Sequence, residues 1–153
     1  MVQDSRLSGV LHVLLHMAEA NAPLTSETLA KAMQTNPVVV RRIMGGLRDA
    51  GIVRSEKGYG GGWSLTRELH AVTLREVYQA LGAPRLFAIG NRRAAPSCLV
   101  EQAVNASLDD ALHEAEALLL ARMDSVPLAS VADDFRRRRE AAGAAGKETI
   151  HAV

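Results

Sequence analysis

The sequence predicts a mainly α-helical fold with one small β-hairpin. Apolar residues recur at three- and four-residue spacing through most of the chain, which is typical of amphipathic helices. Only two short segments are typical of strands, and a glycine-rich stretch separates them. The chain has 153 residues, 48% of them hydrophobic and only 3% aromatic, so aliphatic side chains must fill a core of ordinary size.

The first two helices follow from spacing and from the residues that end and cap them. Residues 5–20 predict an amphipathic helix with an inner face of Leu7, Val10, Leu11, Leu14, Leu15 and Ala18. Asn21-Ala22-Pro23 ends it. Thr25 or Ser26 can cap a second helix that runs to about Met33.

The third helix has the clearest boundaries. Asn36 suits the N-cap and Pro37 the first helical position, and Gly51 is the usual residue just beyond a C-terminus. We expect a helix over 37–50 whose inner residues are Val40, Ile43, Met44 and Leu47. Only a few residues separate it from the second helix, so the two must cross steeply, as in a helix-turn-helix.

A hairpin follows directly. Residues 52–56 and 63–66 predict two strands, and four of the five residues from Gly58 to Gly62 are glycine, which permits a tight protruding turn. A phosphate-binding P-loop is excluded because no Gly-Lys-Ser/Thr is present and no helix follows. A helix-turn-helix with a hairpin behind it is a winged helix.

The second half of the chain predicts three further helices. Val72-Thr73 opens the fourth, and Gly82-Ala83-Pro84 closes it. After a loop over 85–97, Ser97 is expected to cap a long helix to about Asp124. The spacing of Leu128, Val131 and Phe135 predicts a short sixth helix.

The long helix predicts a dimer. At about 40 Å it overhangs any domain this small, so its apolar face needs a partner, and a second copy is the simplest one. We expect this face to contain Leu99, Ala103, Leu108, Ala111, Leu112, Ala115, Leu118, Leu119 and Met123. We expect the solvent side to contain Glu101, Asp109, Asp110, Glu114 and Glu116.

Four regions result from this organisation. We expect a winged helix-turn-helix DNA-binding domain over 1–84, a sensor loop over 85–97 and dimerisation helices over 98–135. The four arginines at 136–139 and the Ala/Gly-rich end to Val153 predict a frayed, solvated, flexible tail over 136–153.

Composition excludes several classes of protein. The single cysteine, Cys98, rules out an intrachain disulfide and a zinc knuckle. No apolar run is long enough for a membrane helix and no signal peptide is evident, so we expect a soluble, cytoplasmic protein without a membrane partner. His12 and His16 are four residues apart, but position 13 is Val, so a metalloprotease motif is absent and structural roles are expected. No residue grouping indicates an enzyme or a metal site.

Two blocks of sequence resemble a known family. The block from Leu47 to Val53 and the block from Lys57 to Leu65 are similar to the signature of the IscR/NsrR/CymR (Rrf-two) regulators, and Thr73-Leu74-Arg75-Glu76-Val77 fits as well. The resemblance covers roughly residues 1–135. It implies a homodimer that docks two recognition helices in successive major grooves of a two-fold-symmetric, palindromic operator and usually represses transcription.

The resemblance also implies a departure from the best-known members. Those regulators sense through an iron–sulfur cluster held by three cysteines before the long helix, but only Cys98 is present here, and Glu101 stands at the position expected for a histidine ligand. Iron–sulfur clusters ordinarily need four protein ligands. We therefore expect a family member without a cluster and without another cofactor.

The start of the third helix is the expected DNA-reading segment, because this part of a recognition helix reaches base edges. Five basic residues stand against two acidic ones between positions 35 and 57. The arginines could bind guanine, the valines could touch thymine methyls, and the Asn could reach adenine unless it is occupied as the cap. The residues concerned are Asn36, Val38, Val39, Arg41 and Arg42.

Further DNA contacts are expected at the wing and at the first helix. Arg54, Lys57 and Tyr59 lie on or beside the glycine-rich hairpin, where the backbone can approach phosphates or the minor groove, although an ordinary charged hairpin is the alternative. Ser5 and Arg6 could add phosphate contacts at the start of the first helix.

Cys98 is the candidate sensor. The positive end of a helix dipole and the nearby Arg92 and Arg93 would favour the reactive thiolate, which predicts a response to an oxidant or electrophile. The alternative is a buried cysteine that acts as a small hydrophobic side chain. Two other functions stay open: a small-molecule effector bound between the winged domain and the long helices, and a winged helix that binds only proteins.

Overall fold

The computed structural model describes residues 4–91 and 94–144 and confirms a mainly helical fold with one two-stranded antiparallel hairpin. Within these residues, no helix is both long enough and apolar enough to cross a membrane. A single 3₁₀ turn over Leu69–Ala71 connects the hairpin to the fourth helix. The helices and strands are α1 (Arg6–Glu19), α2 (Ser26–Ala32), α3 (Pro37–Asp49), β1 (Val53–Glu56), β2 (Gly62–Leu65), α4 (Leu74–Ala80), α5 (Leu99–Asp124) and α6 (Leu128–Ala144).

The caps of the helix-turn-helix lie where the sequence predicts them. The Thr25 side chain accepts the backbone N–H of Thr28 at 3.2 Å, which begins α2. The Asn36 Oδ1 accepts the backbone N–H groups of Val38 and Val39, each at 3.0 Å, so two unpaired donors at the start of α3 are satisfied. Gly51 follows α3 in the left-handed conformation, with φ +71°.

The core lies mainly among the first three helices and the hairpin, and Val77 of α4 and Leu128 of α6 complete it. Trp63 connects the hairpin to the helices. Its indole N–H donates to the buried Ser26 Oγ at 3.1 Å, and its backbone N–H and C=O both form hydrogen bonds with the backbone of Leu24. The hairpin is thereby fastened to the beginning of α2. The largest fully buried side chains are Leu14, Leu29, Met44, Leu47, Ile52 and Leu128.

The long helix begins one residue later than predicted. Cys98, not Ser97, occupies the N-cap position of α5, and the helix runs from Leu99 for 26 residues. Cys98 has the extended backbone of a cap residue, with φ −77° and ψ 124°. The thiol therefore lies at the mouth of the helix rather than inside its first turn.

The side of α5 that packs against its own chain is more polar than expected. Asn105 and Met123 are buried there, and Asp109 and Glu116 are half-buried. Asp109 accepts a hydrogen bond from the Asn91 side chain at 2.9 Å. The placement of Asp109 on the solvent side was thus wrong, because the loop before α5 supplies a polar partner there. Glu101, also expected on the solvent side, is half-buried like Glu116.

The predicted apolar stripe of α5 is mostly uncovered in the single chain. Of its members, only Met123 is buried and Leu112 half-buried. The uncovered apolar row also contains Val100, 72% exposed, and Val104, which the sequence reading did not include. Spaced by three and four residues, this α5 row consists of Val100, Val104, Leu108, Ala111, Ala115 and Leu118.

The sixth helix is longer than predicted. It continues through the four arginines to Ala144, whereas the sequence predicts a frayed tail from residue 136. Acidic partners one turn away, and on α1, pair with these arginines: Arg139 lies 3.1 Å from Glu19, and Arg138 lies 2.6 Å from Asp134. The remaining tail residues, 145–153, lie outside the described part of the chain.

Candidate nucleic-acid interface

The outer face of α3 brings most of the expected DNA-reading residues together. Val38, Arg41 and Arg42 are exposed, and both arginines lie about one turn beyond Val38 on the same side; Val38 is 62% exposed. Val39 lies elsewhere, half-buried and packed against the core. The Asn36 side-chain oxygen is occupied by the N-cap hydrogen bonds.

Two residues of this face were missed by the sequence reading. Gly45 and Arg48 follow Val38 and Arg41 at helical spacing and lie on the same side. Nothing stands within 4 Å of the position that a Cβ at Gly45 would occupy, so the backbone there is open to a close approach. The spacing of 38, 41, 45 and 48 was the signal that would have found them. We name these five residues, Val38, Arg41, Arg42, Gly45 and Arg48, the α3 face.

The arginines of the α3 face differ in their partners. Arg41 pairs with Glu27 of α2 at 3.0 Å, and Arg48 pairs with Asp49 at 3.1 Å; both pairs are exposed. Arg42 makes no ion pair or hydrogen bond with any residue that the structure describes. Exposed pairs of this kind are weak, about 0–1 kcal/mol, so a phosphate or base can displace the carboxylates.

The hairpin presents its tip and its strand differently. Lys57 and Tyr59 are exposed at the tip. Arg54 pairs with Glu56 at 3.1 Å, and Ser64 also donates to Glu56 at 2.9 Å; these hydrogen bonds, with Ser64 the stronger influence, lower the pKa of Glu56. Arg54 lies in a groove of about 640 Å³ beside the end of α1 and the first part of α6.

The start of α1 is only partly suited to phosphate contact. Ser5 is exposed and makes no side-chain cap hydrogen bond. Arg6 is bound at 2.6 Å by Asp4, and this hydrogen-bonded pair lowers the pKa of Asp4 to about 2. A carboxylate held beside the guanidinium reduces its attraction for an anion.

Cys98 occupies an exposed position, which excludes the buried alternative for the single chain. The backbone N–H groups of Glu101 and Val100, in that order of influence, lower the pKa of its thiol, although neither forms a side-chain cap hydrogen bond of ordinary length. The geometry favours a thiolate at the helix terminus. Arg92 and Arg93, expected to add to this effect, lie outside the described residues.

Cys98 also borders a pocket of about 420 Å³. Val104 and Leu108 of the α5 row line it, together with Asn91 from the preceding loop. The Asn91 Oδ1 is buried and accepts no hydrogen bond from the described part of the chain. The pocket therefore has a partly apolar wall and one thiol, and the unpaired side-chain oxygen belongs to one of its lining residues.

An iron–sulfur cluster does not fit the residues of this chain. Such clusters are held by several cysteine thiolates, and the chain contains one cysteine. Across residues 4–91 and 94–144, no three His, Cys, Asp or Glu side chains come together in a way that could hold a metal ion.

A helix-turn-helix with an exposed basic face, a glycine-tipped hairpin and a long helix together define a winged-helix, DNA-binding transcriptional regulator. The chain belongs to the Rrf2 family, the Rrf-two family named above, whose model is described as an iron-dependent transcriptional regulator and matches residues 3–134.

Relatives and solved structures agree with this assignment. The chain is 32% identical over 134 residues to YffB of Lactococcus lactis, described as an HTH-type transcriptional regulator, covering 82% of this chain and 81% of YffB. It is 34% identical over 108 residues to YwnA of Bacillus subtilis, described in the same words, covering 70% of this chain and 79% of YwnA. These relatives are transcriptional regulators and not enzymes.

Two solved structures share the fold. T. potens IscR matches with a TM-score of 0.61 and 18% identity, covering 88% of this chain and 87% of IscR. CymR, the global cysteine regulator of B. subtilis, matches with a TM-score of 0.54 and 21% identity, covering 87% of this chain and 98% of CymR. At this level of identity the likeness is one of fold.

Proposed function

We propose that the protein is a homodimeric repressor that reads a palindromic operator through two copies of the α3 face. The exposed α3 face carries this proposal. Arg42, which has no partner in the described chain, is free for a bidentate contact with guanine, and Val38 can pack on a thymine methyl. Lys57 and Tyr59 at the hairpin tip add contacts to the backbone or the minor groove.

Homodimerisation is supported by the uncovered α5 row. A row of apolar side chains along a helix of 26 residues needs cover, and a second copy offers the same row with the same spacing. Two chains packed along α5 would hold their winged domains apart on one duplex. Repression then follows from occupancy, because a dimer across two major grooves excludes other proteins from that DNA.

The proposed signal is oxidation at Cys98. A thiolate attacks one oxygen of a peroxide, the O–O bond breaks, and a sulfenic acid and hydroxide form; a second thiol then gives a disulfide and water. Cys98 occupies the N-cap position of α5, two residues before Val100, which is the first residue of the α5 row. Added atoms at this position would change how two copies of α5 pack and hence how far apart the α3 faces stand.

A small-molecule effector is the second candidate signal. The pocket beside Cys98 has a partly apolar wall, and its lining residue Asn91 has a buried, unpaired side-chain oxygen, which suits a compact apolar ligand that donates one hydrogen bond. Such a ligand would act in the same place, between the loop and α5, without a thiol reaction.

Fluorescence anisotropy with the DNA upstream of the protein's own coding sequence tests the proposal. The affinity should fall steeply with salt, and Arg42→Ala should weaken it by about 5- to 100-fold, whereas the α6 control Arg137→Ala should leave it within about twofold. A winged helix that binds only proteins would show no salt-dependent binding and no Arg42 effect.

The signal is tested with the same duplex. Peroxide should change the affinity of the reduced protein, thiol should restore it, and Cys98→Ser should abolish the response. Tight DNA binding whose affinity does not change with peroxide would refute the redox signal and favour the small-molecule effector.

A further inference from the structure

A second cluster of reactive side chains lies on α1, away from the α3 face. His12 and His16 are four residues apart on one side of the helix, and their Nε2 atoms lie 2.8 Å from each other. The rings are tilted by 54° with centroids 4.6 Å apart. His12 is exposed and His16 is half-buried, so the two nitrogens meet at the surface, accessible to an ion from solution.

The two nitrogens lie close enough together to bind one metal ion. Imidazole nitrogens bind divalent transition metals at about 2.0 Å. Two such nitrogens lie about 2.8 Å apart at the 90° angle of square-planar and tetragonal sites and about 3.3 Å apart at a tetrahedral angle. Small side-chain rotations reach either separation, and the general order of metal affinities of nitrogen sites then favours Cu²⁺. Cu²⁺ and Ni²⁺ prefer the tetragonal arrangement with nitrogen ligands.

We propose that His12 and His16 form a two-nitrogen chelate for a divalent late transition-metal ion with tetragonal preference, Cu²⁺ or Ni²⁺. The folded helix sets the two donors in place before the ion arrives, so the chelate loses little freedom on binding. Water completes the coordination sphere. Glu19, the next acidic residue along α1, is engaged by Arg139 at 3.1 Å and is not counted as a ligand.

The protons balance without any oxidation or reduction. In the metal-free chain, one Nε2–H donates to the other Nε2. Binding uses the Nε2 lone pairs of both rings, so that hydrogen bond is lost and each neutral imidazole carries its proton on Nδ1. The ion keeps its charge and its oxidation state throughout.

The ion would stabilise the winged domain as a whole. The same helix buries Val10, which precedes His12, and Val13 and Leu14, which lie between the two histidines in sequence, in the core. A ligand that binds the folded chain and not the unfolded chain shifts the unfolding equilibrium toward the folded state. A metal ion bound here therefore raises the unfolding midpoint of the domain that carries the α3 face.

Calorimetric titration of the untagged, full-length protein with NiCl₂ alone tests the proposal. We expect one Ni²⁺ per chain, and a weakening of at least about tenfold in both His12→Gln and His16→Gln. His113→Gln, an exposed single histidine on α5, serves as the matched control and should keep the wild-type affinity. Circular dichroism confirms that each variant is folded.

A Cu²⁺ titration in the Cys98→Ser background avoids thiol oxidation and reports the geometry. The electron paramagnetic resonance spectrum should be that of tetragonal Cu²⁺ with nitrogen coupling, and Cu²⁺ should bind more tightly than Zn²⁺. Two results would overturn the proposal: Ni²⁺ affinity in both histidine variants within threefold of the wild type, or Zn²⁺ binding more tightly than Cu²⁺.

Discussion

Replacing either of two adjacent glycines in α3 with alanine should affect the stability of the protein in different ways. A Cβ added at Gly46 would lie 2.5 Å from the Ala80 carbonyl oxygen at the end of α4, whereas a Cβ at Gly45 would meet nothing within 4 Å. Neither the added methyl at Gly46 nor the Ala80 backbone can rotate away. Helices α3 and α4 must therefore separate by about 1 Å to reach an ordinary van der Waals contact, in a core that is close-packed.

The difference in unfolding free energy between the two variants can be estimated because both gain the same helix propensity, which cancels. Replacing Gly by Ala inside a helix gains about 1 kcal/mol at either position. Overpacking costs about 1–3 kcal/mol and applies only at Gly46. We expect Gly45→Ala to be more stable than the wild type by about 1 kcal/mol, and Gly46→Ala to be less stable than Gly45→Ala by about 1–3 kcal/mol.

Urea unfolding measured by Trp63 fluorescence provides the assay, because this sole tryptophan is only 8% exposed and contacts α2. With an unfolding slope of about 2 kcal/mol/M, the two midpoints should differ by roughly 1 M. All proteins are compared at one protomer concentration, since a dimer's stability depends on it. An equal or higher midpoint for Gly46→Ala would refute the close approach of α3 to α4.

Three further predictions concern the Glu27–Arg41 ion pair, the α5 row and the Cys98 thiol. Glu27→Gln should strengthen DNA binding by up to about fivefold in anisotropy titrations, because it frees Arg41 from an exposed ion pair at 3.0 Å. Leu118→Asp should raise the dimer dissociation constant more than about 100-fold in sedimentation equilibrium, because it places an unpaired charge in the α5 row. Alkylation of Cys98 should reach half its maximal rate below the pH found for free cysteine, because the lowered pKa leaves more thiolate at neutral pH.

Each of these three predictions has a control that shows whether the effect is specific to the substituted residue or to the folded state. Glu140→Gln removes an exposed carboxylate of α6 and should leave DNA affinity unchanged. Ala117→Asp adds a charge on another side of α5 and should leave the dimer intact. The urea-unfolded protein gives the reference pH profile for Cys98. Equal effects in a variant and its control, or identical thiol profiles in folded and unfolded protein, would contradict the corresponding prediction.

The DNA-binding half of the fold could be predicted from the sequence because capping and turn residues set the ends of its helices and its hairpin. The Asn36 cap, Pro37 at the first helical position and Gly51 beyond the end determine where α3 begins and stops, and each acts within a few residues of itself. The glycine-rich turn between two short strands determines the hairpin in the same way. These signals need no distant contact, so they are present in the chain before it folds.

The sides that the helices present were decided by tertiary packing. Periodicity showed that α5 has an apolar stripe, but the loop at Asn91 turns Asp109 toward the chain and leaves Val100 and Val104 uncovered. The Glu27–Arg41 pair, which joins α2 to α3, likewise has no local signature. Such contacts join residues far apart in sequence, and their geometry depends on how whole elements pack, which only the folded structure determines.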